Sequence, residues 1–298
     1  MAVLWLFAAV NFSDFRTQLW IFRAKAKLRD SVYIATLQDG SVAYFSIKPR
    51  LQEAALEVWK AYRPPYAALV AVEPGTGRVL ALVGYSRRDP KSSYNLKLTT
   101  RNTYPAASVF KIATALAAIR RLGLKPSDSV LQRGRVHSRS PRWWLRSRRV
   151  RRLTFAEAFG ESNNPVFGRL AYKVGEKPIL KAAEDLGFGS AWWAGEVRRP
   201  KGRYELMLMG AGFVNSTLSP LHGALIAAAV ANGGLLMKPN LIDSVVKGGK
   251  VVWRFKPETL RRAMKLAEAR ALQELMAATV HRGTSYKAFY DPDGMPVL

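Results

Sequence analysis

Between Ala106 and Leu116 nearly every residue is apolar, and a helix apolar almost all round lies inside a protein. The pattern predicts that this helix enters through Pro105 and ends near Gly123 and Pro126. Upstream, Val42–Ile47 reads as a strand, and Pro49 opens a helix with Leu51, Ala54, Ala55, Val58, Trp59 and Tyr62 on one face. Two apolar runs, Tyr66–Val72 and Arg78–Tyr85, flank Glu73-Pro74-Gly75-Thr76-Gly77 and predict an antiparallel hairpin. Downstream, Thr154 and Glu157 form a capping-box pattern, and Asn164-Pro165 reads as the cap and first residue of a helix ending at Gly175. Pro220–Ala231 predicts a core helix closed by Asn232-Gly233-Gly234, and a second hairpin turns at Lys247-Gly248-Gly249. From Pro257 to Arg282 the period is helical again, with Leu260, Met264, Ala267, Ala271, Leu275 and Ala278 as its stripe.

The buried helix carries Ser108 and Lys111, three residues apart and therefore on one face. Its positive end favours negative charge on a serine oxygen, and a desolvated lysine gives up its proton more readily. Taken alone, Ser108 reads first as a helix-start serine and only second as a nucleophile. A second Ser-x-x-Lys, Ser244 to Lys247, sits in a strand, where positions three apart face opposite ways. Glu161-Ser162-Asn163-Asn164 adds a hydroxyl and amides on one turn, with plain capping as its alternative. Ser93-Tyr94-Asn95 repeats that pattern in a loop before the serine helix, where chain order argues against it.

Composition narrows the chemistry further. The 298 residues carry 47 Lys and Arg against 21 Asp and Glu, a formal charge of +26 that favours anionic partners. Without cysteine there is no disulfide framework and no thiolate metal site, and His137, His222 and His281 have no ligand spacing, so neither metal nor cofactor is expected. Residues 133–152 hold nine arginines and no acid around Trp143-Trp144. That stretch reads as a solvated loop, with phosphate or nucleic-acid binding as the less favoured alternative. At the start, the apolar Met1–Phe12 precedes Arg16, Arg23, Lys25, Lys27 and Arg29. Twelve helical residues rise only about 18 Å, so residues 1–30 read as an amphipathic segment or the remnant of a membrane anchor.

Taken in order, these motifs resemble the transpeptidase domain of penicillin-binding proteins. Ser108-Val109-Phe110-Lys111 and Ser162-Asn163-Asn164 are similar to two of its three signature motifs. Ile47-Lys48-Pro49-Arg50-Leu51-Gln52 resembles its opening segment, with Lys48 where an aspartate is usual. Glu73–Ala81, Tyr104–Ser108, Thr217–His222 and Ala231–Gly234 resemble further landmarks. The resemblance implies an α/β chain of the α+β type: an antiparallel sheet flanked by helices, with an all-helical subdomain, over residues 31–298. It also implies a D,D-transpeptidase that cross-links peptidoglycan stem peptides and is acylated by β-lactams. In that reading Ser108 attacks, Lys111 takes its proton, Ser162 passes a proton to the leaving amine and Asn164 holds the substrate. The implied location is the periplasmic face of the inner membrane, alongside other cell-wall synthesis proteins.

The family's Lys-Thr-Gly motif is absent, and Val280–Phe289 resembles the segment that precedes it. The expectation is therefore a partial domain ending before its C-terminal strands, inactive as it stands, with an apolar face of the serine helix uncovered. A β-lactamase-like hydrolase and a catalytically inactive cell-wall-binding relative are the competing readings.

Overall fold

Short strands, alternating in burial at Val32–Thr36 and Val42–Phe45, build an antiparallel sheet in the order Lys27–Arg29, Val32–Thr36, Val42–Phe45, Ile242–Lys247, Lys250–Arg254. The computed structural model describes residues 10–88 and 95–297. Its contacts divide the chain into two units, residues 1–99 with 237–259, and 100–236 with 260–298. Both classes of element are present, as an α+β fold requires.

In the first unit the five-stranded sheet carries the helix Phe15–Lys25, started by Asp14, whose carboxylate accepts the Thr17 N–H. Phe22 meets Tyr33 and Phe45 edge to face, with ring centroids 5.5 and 5.0 Å apart. Gln18 is buried in the same face and donates to Asn240 Oδ1 at 2.8 Å. Within the described residues, no helix is long and apolar enough to cross a membrane. Residues 1–9 of the apolar N-terminal run lie outside the described part, as do Ser93 and Tyr94.

The hairpin forms as predicted from Tyr66–Val72 and Val79–Ser86. The helix Pro49–Tyr62 also forms, but its apolar stripe is not its buried face. Tyr62 is 83% exposed, and Leu51 and Val58 are also open to solvent. The helix buries Gln52 instead, whose Oε1 accepts the Leu82 N–H at 2.7 Å. A strand N–H that needs an acceptor outweighs the apolar period at that position.

The second unit is mainly helical, although it also holds two two-stranded pairs, Tyr104–Pro105 with Thr217–Leu218, and Ser129–Arg133 with Val150–Thr154. The serine helix, Lys111–Leu122, ends at Gly123 with φ +65°. Its residues from Lys111 to Ala118 are all buried, against the helices Asn164–Val174, Glu176–Asp185, Arg203–Gly210 and Leu266–Arg282. The uncovered face expected on this helix is therefore not found; the exposed apolar stripe lies on Pro49–Tyr62. Small residues allow the closeness: a Cβ at Gly210 would strike Ala171, and one at Gly168 would strike the Trp144 ring.

Three other expectations need correction. The last long helix starts at Leu266, after a strand Thr259–Arg262, and buries Ala269, Leu272, Leu275 and Ala278. Glu268 accepts the Lys265 N–H and sets this later start. The arginine-rich stretch is not a solvated loop either. Val150–Thr154 pairs back on Ser129–Arg133, and between them the helix Pro141–Arg146 sinks Trp144 completely into the core. Lastly, Asn163 rather than Asn164 caps its helix, its Oδ1 accepting the Val166 N–H at 3.2 Å.

His222, also in this unit, is fully buried. Its Nδ1 accepts the Gly195 N–H at 3.0 Å, which leaves the proton on Nε2 to face the Leu186 carbonyl at 3.0 Å. Burial pushes its pKa down to about 4, so it stays neutral as a structural link.

Candidate active site

The nucleophile candidate sits on a 3₁₀ turn, Ala107–Phe110, that runs directly into the serine helix. Phe110 is completely buried and fixes the turn, while Ser108 is exposed. Ala107 adopts φ +48°, unusual for a residue with a Cβ, and this left-handed step presents Ser108. Ser162 has the same unusual conformation, φ +52°, between the helices Phe155–Gly160 and Asn164–Val174.

Lys111 joins the pieces. Its side chain is almost wholly buried, and its Nζ lies within hydrogen-bond reach of Ser108 Oγ at 2.9 Å, Ser162 Oγ at 3.2 Å, Asn164 Oδ1 at 3.0 Å and the Ala211 carbonyl at 2.9 Å. Ser162 Oγ lies 2.8 Å from Ser108 Oγ, closing a triangle of two hydroxyls and one amine. Desolvation lowers the Lys111 pKa to about 8. The four partners are all neutral oxygens, so no carboxylate offsets that desolvation. The Phe167 ring, 5.9 Å from Nζ, forms part of the enclosure.

The structure brings Ser108, Lys111, Ser162 and Asn164 together, whereas Ser244 lies in the strand Ile242–Lys247 of the first unit, as expected. The displaced cap explains how Asn164 is free to join. With Asn163 serving the helix start, Asn164 turns its Oδ1 to Lys111 and its Nδ2 to the Ser138 carbonyl at 3.4 Å. Its backbone N–H donates to the Val136 carbonyl at 3.0 Å.

Sequence reasoning missed the segment Gly210-Ala211-Gly212. The Ala211 carbonyl accepts from Lys111, and the Gly210 carbonyl accepts from Thr114 Oγ1 at 2.9 Å. Gly212, at φ +90°, passes so close to the Ala107 carbonyl that a Cβ there would overlap it. The available signal was a Gly-Ala-Gly directly after the apolar helix Arg203–Gly210. If Ser108 is acylated in the complete gene product, Gly212→Ala is expected to lower that rate about a hundredfold, because it shifts the turn that presents Ser108. Stopped-flow acylation by a chromogenic cephalosporin measures this, and a rate within twofold of wild type would refute it.

The sequence profile of the penicillin binding protein transpeptidase domain matches residues 67–296, about three quarters of the chain. The chain belongs to this family. It is 27% identical over 274 residues to the peptidoglycan D,D-transpeptidase PbpA of Mycolicibacterium smegmatis, covering 78% of this chain and 55% of that protein. It is also 27% identical over 264 residues to stage V sporulation protein D of Bacillus subtilis, covering 77% of this chain and 38% of that protein. The chain thus spans about half the length, or less, of these curated relatives. A structure of penicillin-binding protein A from Mycobacterium tuberculosis, solved as a penicillin G acyl-enzyme, aligns with a TM-score of 0.67 at 25% identity, covering 90% of this chain and 68% of that one.

Proposed function

We propose that the complete protein is a peptidoglycan D,D-transpeptidase of the periplasmic face of the inner membrane, working through a serine acyl-enzyme at Ser108. The observation that carries this reading is Lys111 Nζ, held within hydrogen-bond reach of Ser108, Ser162 and Asn164, with no carboxylate among its partners in the described residues. Names of the relatives, PbpA among them, support the same activity. Residues 1–30 are read as the membrane-proximal segment and 31–298 as transpeptidase domain.

The mechanism follows from which group can hold a proton. With Lys111 neutral, its lone pair accepts the Ser108 proton as Oγ attacks the carbonyl of the terminal D-Ala-D-Ala amide, forming a C–O bond. The tetrahedral intermediate then breaks its C–N bond, and the leaving D-alanine amine receives the proton through Ser162, which touches both Lys111 and Ser108. Asn164, anchored at Ser138, offers its amide to the substrate side. An acceptor amine attacks the resulting ester, forms the cross-link and returns its proton by the same path to Ser108. A β-lactam stops after the first half, because the amine it releases stays tethered to the acyl group.

Incubating the complete gene product with fluorescent penicillin should label Ser108, as mapped by mass spectrometry, and Ser108→Ala should abolish the label. Labelling of another residue, or none in the folded wild type, would overturn the reading. A label lasting minutes or longer separates the transpeptidase from a β-lactamase, which releases it within seconds.

A further inference from the structure

The arginine-rich stretch singled out in the sequence is not used by the chemistry above, yet it begins at the site. The Ser138 carbonyl anchors Asn164, and the next residue, Arg139, lays its guanidinium over the Phe213 ring with 4.8 Å between them. Phe213 lies two positions beyond Ala211, the carbonyl partner of Lys111. Moving outward, Arg142 and Arg203 both lie over Tyr204, at 5.7 and 4.8 Å, and Arg203 Nη2 donates to the Tyr204 hydroxyl at 3.1 Å. The Arg203 hydrogen bond, together with the charges of Arg142 and Arg146, draws the Tyr204 phenol pKa down.

Two features distinguish this face from an ordinary solvated run of charge. First, all four arginines are exposed, and none forms an ion pair among the described residues. The nearby acid Glu205 is already occupied by the Lys201 N–H and Asn215 Nδ2. Second, three of the guanidinium groups already have a seat. Arg139, Arg142 and Arg203 lie over rings supported by the Trp144 cluster, which reduces the ordering cost of a bidentate contact to a carboxylate.

We propose that Arg139, Arg142 and Arg203, set on Phe213 and Tyr204, form with the exposed Arg146 a docking surface for an acidic peptide, the free carboxylates of uncross-linked stem peptides on the strand whose end reacts at Ser108. This deepens the transpeptidase reading and rests on it for the identity of the strand. Phosphate-rich polymers share the charge, but a face whose first arginine directly follows Ser138, the anchor of Asn164, favours the ligand that must already be there, the substrate's own chain. The face selects for substrates that keep their side-chain carboxylates, and against amidated ones.

The test measures binding by fluorescence anisotropy, using the complete gene product with Ser108→Ala so that no turnover is needed. The probes are a labelled oligomer of D-Ala-D-Ala-terminated stem peptides with free carboxylates, the same oligomer fully amidated, and a short polyphosphate. The carboxylate oligomer should bind about tenfold tighter than the amidated one, with the preference shrinking as salt rises from about 50 mM to about 500 mM. Arg142→Gln, Arg146→Gln and Arg203→Gln together should erase the preference, while the three corresponding lysine substitutions restore part of it. Equal affinity for the two oligomers would overturn the inference. So would tighter binding of polyphosphate than of the carboxylate oligomer. Penicillin labelling of Ser108 in the otherwise wild-type protein is read separately, so loss of that label sinks the acyl-transfer reading while the anisotropy remains interpretable.

Discussion

Lys111→Met in the complete gene product is expected to slow penicillin acylation of Ser108 by at least about a thousandfold, at the upper end of what one general base contributes. The change removes the amine that bridges both hydroxyls while keeping the length of the buried stem. The wild-type pH profile carries the same signature. With a pKa of about 8, about one molecule in ten has the neutral amine at pH 7, so the acylation rate should climb roughly tenfold and level off above pH 9. Stability follows the same proton. The folded-state pKa lies below the unfolded 10.5, so between about 8 and 10.5 the unfolded chain binds more protons, and stability rises with pH. Relative to Lys111→Met, the wild type should therefore gain up to about 3 kcal/mol across that window. Denaturation midpoints at pH 7 and pH 10 measure it. A flat difference, together with acylation that is independent of pH from 6 to 9, would remove Lys111 from the role of base.

Trp144→Ala is expected to have the largest effect on stability, about 3 to 5 kcal/mol. The indole is completely buried against Met207 and Ala211, fills the space left by Gly168, and donates from Nε1 to Ser138 Oγ at 2.7 Å. Its loss opens a cavity between the helices Pro141–Arg146 and Arg203–Gly210 and releases two site contacts, since the Ser138 carbonyl holds Asn164 and the Ala211 carbonyl holds Lys111. Acylation should therefore fall along with stability, and a distant core truncation of equal cost, Leu225→Ala, should spare it. Urea denaturation and penicillin labelling on both variants decide the matter. A loss below 1 kcal/mol, or equal damage to labelling by both variants, would contradict this account.

How much of this could be read from sequence depends on whether side chains or backbone do the work. Ser108 and Lys111 could be paired because helical spacing puts positions three apart on one face, a geometry the 3₁₀ turn preserves, but it took the surrounding motifs to single that pair out. Ser162 and Asn164 were legible through an ordered set of motifs, although the capping role fell one residue earlier than expected, on Asn163. The Ala211 and Ser138 carbonyls left no trace, because every residue carries one and only the fold decides which point inward. Periodicity misled on Pro49–Tyr62, where a sound apolar stripe faces solvent and a glutamine faces the strand. It misled again near Pro257, where a short strand shares the spacing of a helix start. Trp144 was hidden by its neighbours, since nine arginines around it suggested solvent on every side.

The four oxygens around Lys111 differ in one respect that gives the site a direction. Ala211 and Asn164 present carbonyl oxygens, which can only receive, whereas Ser108 and Ser162 present hydroxyls that can also give. Once the amine is neutral it has two hydrogens, and the two carbonyls hold them. The lone pair is then left to face the serines. The Ser138 anchor matters for the same reason, because it stops the Asn164 amide from turning over and presenting a donor to the amine. In the proposed reaction the two carbonyls never handle the travelling proton, yet they fix the side of Lys111 on which it would arrive and depart.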